Sequence, residues 1–260
     1  MNLSAHLGYQ FTEVPFSERF ALAARSGYRA VEFPSPYAFD ASGLDDLLGQ
    51  HRLQLVQFGT PMGAPENGDK GTAALKARRT EFEEGLERAL EMAIRLRCPR
   101  IHVMAGIVRA DADADWDVYV ENVRRAVNMF AAHDIATLIE VMSPQEVPGY
   151  FMSSFEQAEA LFDAIPDRNL QFLFDTYHAA VLTGDAAGSL QRWLHRTGHI
   201  QISDFPGRHE PGTGTLPFKD MFDLLSASQY TGWLGCEYRP QTTTIEGLVH
   251  LQAYLPPLNH

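Results

Sequence analysis

Cysteine is scarce in this 260-residue chain: there are two, Cys98 and Cys236, far apart and without the close spacing of a metal-binding or redox pair. That excludes a disulfide-framed domain, and two free thiols in a reducing cytoplasm are the expectation. Basic charge is also short, with 21 Lys and Arg against 33 Asp and Glu and a formal net charge of −12. Such a chain repels phosphate backbones unless its cations gather on one face, and no such cluster is present; nucleic acid is not an expected partner. No apolar run is long enough to span a membrane. The opening residues, Met1 to His6, show neither the basic region nor the apolar stretch of an export signal, so a cytoplasmic protein without a membrane partner is expected. Missing too are the Gly-x-Ser-x-Gly elbow, the His-Glu-x-x-His helix and the Gly-x-x-x-x-Gly-Lys phosphate loop.

What is present is alternation. Short apolar runs lie at Asn2 to Ala5, Ala30 to Phe33, Leu53 to Phe58, Arg100 to Met104, Ala136 to Val141, Leu170 to Asp175, His199 to Ser203 and Trp233 to Tyr238. Apolar on both faces, they suit a parallel sheet covered by helices. Amphipathic helical patterns lie between them. Phe82, Leu86, Ala89, Leu90 and Ala93 share one stripe; Trp116, Tyr119, Val120, Val123, Val127 and Phe130 share another; Phe155, Ala158, Leu161, Phe162 and Ile165 share a third. Eight strand–helix units of about 32 residues match a (β/α)8 barrel. A doubly wound sheet would carry a glycine-rich turn after an early strand, whereas Ala5 is followed by His6-Leu7-Gly8-Tyr9-Gln10. No linker or composition break divides the chain, so residues 1–260 are expected to form a single α/β barrel domain.

Polar residues sit where four successive apolar strands finish: Glu140, Asp175, Gln201 and Glu237, separated by 35, 26 and 36 residues. The C-terminal ends of barrel strands surround one pocket, and chemistry is placed there. Three carboxylates and an amide oxygen in one cavity would repel unless a cation sat between them; hard oxygen donors suit Mg or Mn. Each residue alone has a plainer reading. Asp175 could cap the segment beginning Thr176-Tyr177-His178, and Gln201 could be an ordinary buried amide. Arg208, in the loop Pro206 to Gly214, could clamp a substrate carboxylate or stand as a solvated charge. His178 lies at the same strand end as Asp175, while His6, His102 and His199 read as hydrogen-bonded core groups. Glu32 could face the pocket or pair with a neighbouring base.

These segments resemble the hydroxypyruvate isomerase family, with its 2-oxo-tetronate isomerases, among the xylose-isomerase-like barrels. The resemblance rests on Val31-Glu32-Phe33, His102 to Gly106, Ile139-Glu140, Val147 to Phe151, Phe174-Asp175-Thr176-Tyr177-His178, His199 to Asp204, Pro206 to Gly214 and Gly235-Cys236-Glu237-Tyr238. It implies one divalent metal, Mg or Mn, held by Glu140, Asp175, Gln201 and Glu237. It also implies that Glu140 and Glu237 are the two catalytic glutamates of an aldose–ketose type isomerisation through an enediolate. His178 and Arg208 would bind substrate oxygens, with Glu146 a third candidate. The substrate implied is a short hydroxy-carbonyl acid such as hydroxypyruvate or 2-oxo-tetronate; a homo-oligomer is left open. A keto-sugar 3-epimerase is the alternative activity, with a dehydratase or a non-catalytic metal-binding barrel behind it. The chain departs from the family pattern at Thr215-Leu216-Pro217 and in the loop Gly59 to Pro65.

Overall fold

The computed structural model describes residues 1–109 and 113–255. The strands are β1 (Asn2–His6), β2 (Ala30–Glu32), β3 (Gln54–Leu55), β4 (Phe58–Gly59), β5 (Arg100–His102), β6 (Ala136–Glu140), β7 (Leu170–Asp175), β8 (Thr197–Gln201) and β9 (Trp233–Cys236). The α-helices are α1 (Phe16–Arg25), α2 (Ala41–His51), α3 (Arg79–Leu96), α4 (Trp116–Ala131), α5 (Phe155–Ala164), α6 (Thr176–Thr183), α7 (Ala186–Trp193), α8 (Phe218–Ala227) and α9 (Thr244–Gly247).

Helix formation follows the sequence pattern. Helix α3 buries Phe82, Leu86, Ala89 and Ala93 as the apolar stripe predicts, with Leu90 half-buried at its margin. Helix α4 buries Tyr119, Val120, Val123, Val127 and Phe130, and starts where the Asp115 side chain accepts from the Val118 N–H. Helix α5 opens with a reciprocal capping box between Ser154 and Gln157. Among the described residues, no helix is long and apolar enough to cross a membrane, and both cysteines are free and buried.

The chain divides into two compact units, one of residues 1–33, 42–56 and 174–260, the other of residues 34–41 and 57–173. In the first, parallel ladders join β3 to β2, β2 to β1, β1 to β9 and β9 to β8. In the second, parallel ladders join β4 to β5, β5 to β6 and β6 to β7. The predicted strand Leu53 to Phe58 is therefore two short strands, β3 pairing with β2 and β4 with β5. A continuous apolar run does not show where a chain changes its ladder partner, which is why the sequence reads as one strand.

Candidate active site

Asp175 ends β7 and begins α6, and its two oxygens do different work. Oδ1 accepts the backbone N–H groups of Tyr177 (2.6 Å) and His178 (3.2 Å), satisfying donors that the first helical turn leaves open. Oδ2 accepts from Arg208 Nη2 at 3.0 Å. The capping reading holds, and it leaves the second oxygen to Arg208. His178, buried on the first turn of α6, brings Nε2 to 3.9 Å from Asp175 Oδ2.

Arg208 Nη2 also donates to Glu237 Oε2 at 3.2 Å. Its guanidinium carbon lies 5.3 Å from the ring centroids of both Tyr9 and Tyr177, an arrangement in which the aromatic faces favour the cation. The backbone of Arg208 sits at φ 55, a left-handed conformation that costs free energy for a non-glycine residue. The surrounding loop holds it there. The Asp204 carboxylate accepts the N–H groups of Phe205, Gly212, Gly214 and Leu216 at 2.8–3.0 Å, and its backbone pairs with Arg208 and His209. Sequence reasoning missed Asp204; an acid directly ahead of a Pro/Gly-rich stretch is the signal that could have found it.

Glu237 lies one residue past β9, where its N–H donates back to the Gly235 carbonyl at 2.9 Å and turns the chain. Its side chain is 13 % exposed. Burial pushes its carboxyl up to about 8; Arg208 opposes the shift, and the negative charges of Asp175 and Glu32 add to it. His6, at the end of β1, turns Nε2 towards Glu237 Oε1 at 3.6 Å while Nδ1 accepts the Gly8 N–H at 3.2 Å. That places the proton of the neutral ring on Nε2. Burial lowers the His6 pKa to about 4, with Glu32 pulling it up and Arg208 pushing it down. His6, read from sequence as a core group, is thus a neutral imidazole turned towards a predicted catalytic acid.

Gln201, at the end of β8, donates from Nε2 to Glu32 Oε1 at 3.0 Å. Oε2 of the same glutamate accepts Ser4 Oγ–H and His199 Nε2–H, each at 2.7 Å. Burial alone would raise Glu32, yet His199, His6 and the Gln201 amide outweigh it and bring the carboxyl down to about 2. Of the two readings open for Glu32, pairing with a base is the one the structure shows.

In the second unit Glu140 ends β6, 4 % exposed, with His102 Nδ1 3.7 Å from its Oε2. It stands in register with Leu173 of β7, two residues before that strand ends at Asp175. Glu146 is half-buried in the turn that follows, where its N–H donates to the Ser143 carbonyl. The structure therefore gathers Asp175, His178, Arg208 and Glu237 in the first unit, pairs Gln201 with Glu32 in that same unit, and holds Glu140 with His102 in the second.

The donor chemistry fits a divalent cation. Asp175 and Glu237 converge on a single guanidinium, two carboxylates meeting at one organic cation. Hard oxygen donors of this kind suit Mg²⁺ or Mn²⁺. Glu140, Asp175 and His178 are each buried and each offers an atom that a cation can take.

The sequence model described as a xylose isomerase-like TIM barrel matches residues 20–254, and the chain belongs to that family. It is 39 % identical over 254 residues to the 2-oxo-tetronate isomerase of Cupriavidus necator, covering 97 % of this chain and 98 % of that one. It is 35 % identical over 256 residues to the hydroxypyruvate isomerase of Escherichia coli, covering 98 % and 99 %. A crystal structure described as AP endonuclease, family 2, from Brucella melitensis is similar with a TM-score of 0.94 and 36 % identity, over 98 % of this chain and 99 % of that one. Within its family the chain falls with the hydroxypyruvate and 2-oxo-tetronate isomerases, and it is an enzyme of the isomerase class.

Proposed function

We propose that this enzyme uses one divalent cation, Mg²⁺ or Mn²⁺, to carry out an aldose–ketose type isomerisation of a short hydroxy-carbonyl acid such as hydroxypyruvate or 2-oxo-tetronate. The observation that carries the reading is the meeting of two carboxylates, Asp175 and Glu237, on the single guanidinium of Arg208, which gathers hard oxygen donors and a carboxylate-binding fork at one point. In this reading residues 1–260 act as one barrel domain, and Glu140, Asp175, Gln201 and Glu237 hold the cation. The bound cation would polarise the substrate carbonyl and stabilise negative charge developing on its oxygen. Glu140 and Glu237 divide the proton work, one removing a proton from a substrate carbon and the other returning one to its neighbour. His178 and Arg208 bind substrate oxygens, the planar fork of Arg208 suiting a carboxylate. The redox change is internal to the substrate, so the reaction needs no nicotinamide or flavin.

The proposed partner is a small molecule. A net charge of −12 argues against DNA for this chain, even though one similar crystal structure is described as an endonuclease. Two free buried thiols fit the cytoplasm. The test is a panel of three- to six-carbon keto acids and ketoses followed by NMR in D₂O. The proposal expects the carbonyl to move between C2 and C3 of a short keto acid, a proton leaving C3 and one being delivered to C2, with solvent deuterium entering at those carbons. Inversion at C3, loss of water, or incision of abasic DNA without turnover of any of them would overturn it.

A further inference from the structure

A carboxamide presents oxygen on one side and nitrogen on the other, and only the oxygen can ligate a cation. What decides which end of Gln201 faces the proposed cation is therefore a question about its neighbour. Glu32 answers it. Its Oε2 takes two donors, Ser4 Oγ and His199 Nε2, so this oxygen is fixed on β1 and β8. Its Oε1 then meets the Gln201 side chain, where an acceptor selects the –NH₂ end; the observed contact is Nε2 to Oε1 at 3.0 Å. Among the described residues, Gln201 Oε1 takes no hydrogen bond, and it is left as the ligating end. The carboxylate is packed tightly in place. A Cβ at Gly235 on β9 would stand 2.3 and 2.4 Å from its two oxygens, so only glycine leaves this room.

We infer that Glu32 is a positioning residue that fixes the orientation of the Gln201 amide and so makes Gln201 an oxygen ligand. The inference rests on the cation-dependent reading given above. It makes a directional prediction for Glu32→Gln. With His199 keeping the Nε2–H tautomer that the Glu32 carboxylate selects, it and Ser4 hold the new amide's oxygen in the Oε2 place and leave its –NH₂ facing Gln201. Gln201 must then turn over to accept, and it presents nitrogen where oxygen is needed.

The experiment measures Mn²⁺ binding by electron paramagnetic resonance, without substrate. Glu32→Gln is expected to weaken binding by about 10- to 100-fold, the usual effect of removing a group that orients a ligand. The double variant Glu32→Gln/Gln201→Glu is expected to recover most of that loss. A carboxylate at 201 can accept from the amide at 32 and still offer oxygen to the cation. A support role for Glu32 in folding alone would not be rescued this way. Wild-type binding in Glu32→Gln, or no recovery in a folded double variant, overturns the inference.

If the Glu32 variants do not fold, the wild-type protein decides, with Gln201→Glu serving only to assign its signal. With ¹⁵N-glutamine labelling, the side-chain –NH₂ signal lost in Gln201→Glu should be protected from solvent exchange; rapid exchange overturns the pairing. Absence of Mn²⁺ binding by the wild type would instead count against the reading under Proposed function, and the exchange measurement would still judge Glu32.

Discussion

Arg208 and Asp175 meet through a single guanidinium nitrogen: Nη2 donates to Oδ2 at 3.0 Å, while Oδ1 of the same carboxylate caps α6. One acidic side chain thereby ties a helix start to a loop and contributes charge to the site. The same nitrogen reaches Glu237, so Arg208 joins the Asp175 and Glu237 carboxylates.

Glu237→Gln should keep the fold and lose turnover. The amide is the same size but cannot exchange a proton, and removing a positioned acid–base group costs about 10²–10⁴-fold. Circular dichroism should match the wild type while kcat falls by that amount; a kcat within threefold of wild type would remove Glu237 from the proton work.

Metal binding should release a proton from the cation-free protein at pH 7. Glu237 is held near 8 there, so it is mostly protonated and must ionise to become a ligand. Calorimetry in buffers of different ionisation enthalpy should show this proton, with affinity rising up to about pH 8. The matching stability term has a fixed sign. A carboxyl raised from 4.5 to about 8 adds stability that is complete below 4.5 and lost as pH rises through 8. Saturating Mg²⁺ should flatten that slope; a buffer-independent heat would contradict the assignment.

At acid pH two other groups act in the opposite sense. His6 is lowered from 6.5 to about 4 and Glu32 from 4.5 to about 2, so each adds stability above its ordinary pKa that is lost as pH falls through the lowered one. Thermal unfolding should therefore weaken progressively from about pH 6.5 to pH 2. Glu32→Gln should remove the lower part of that slope, below 4.5, and leave the upper part; an unchanged profile would argue against the Glu32 network.

Gly235→Ala should destabilise the protein by about 1–3 kcal/mol, the usual cost of forcing a methyl into a filled core. The new Cβ meets the Glu32 carboxylate, a side-chain end held in place by Ser4, His199 and Gln201. Urea unfolding measures it, and an unchanged midpoint would show that Glu32 can move aside.

Asp204→Ala should loosen the loop that carries Arg208. Four backbone N–H groups lose a charged acceptor, so amide exchange at Gly212, Gly214 and Leu216 should accelerate. KM for an acidic substrate should rise more than kcat falls, because Arg208 is proposed to bind and not to transfer protons. Unchanged exchange at those amides would exclude the loop-holding role.

Much of this architecture is legible in sequence because it rests on periodicity. The stripes of α3 and α4 and the apolar runs of β1, β6 and β7 each declare their burial without knowledge of partners. The capping role of Asp175 was legible for the same reason, since it acts on its own next residues. What escaped depends on contacts far along the chain. Glu32 and His199 are 167 positions apart, and no spacing rule announces their pairing. His6 looked like core because a histidine within an apolar strand usually is; Glu32, Arg208 and Glu237, none of them near it in sequence, give it charged and polar neighbours. The break between β3 and β4 escaped because it is a change of ladder partner, not of composition.

The account as a whole depends on oxygen ligands that need a cation to do chemistry. The most direct test is turnover of hydroxypyruvate and 2-oxo-tetronate by protein stripped with EDTA and then titrated with Mg²⁺ or Mn²⁺. Activity should vanish on stripping and return in proportion to cation bound, saturating at one per chain. Full turnover by the stripped protein, or stoichiometric cation uptake with neither substrate converted, would contradict it.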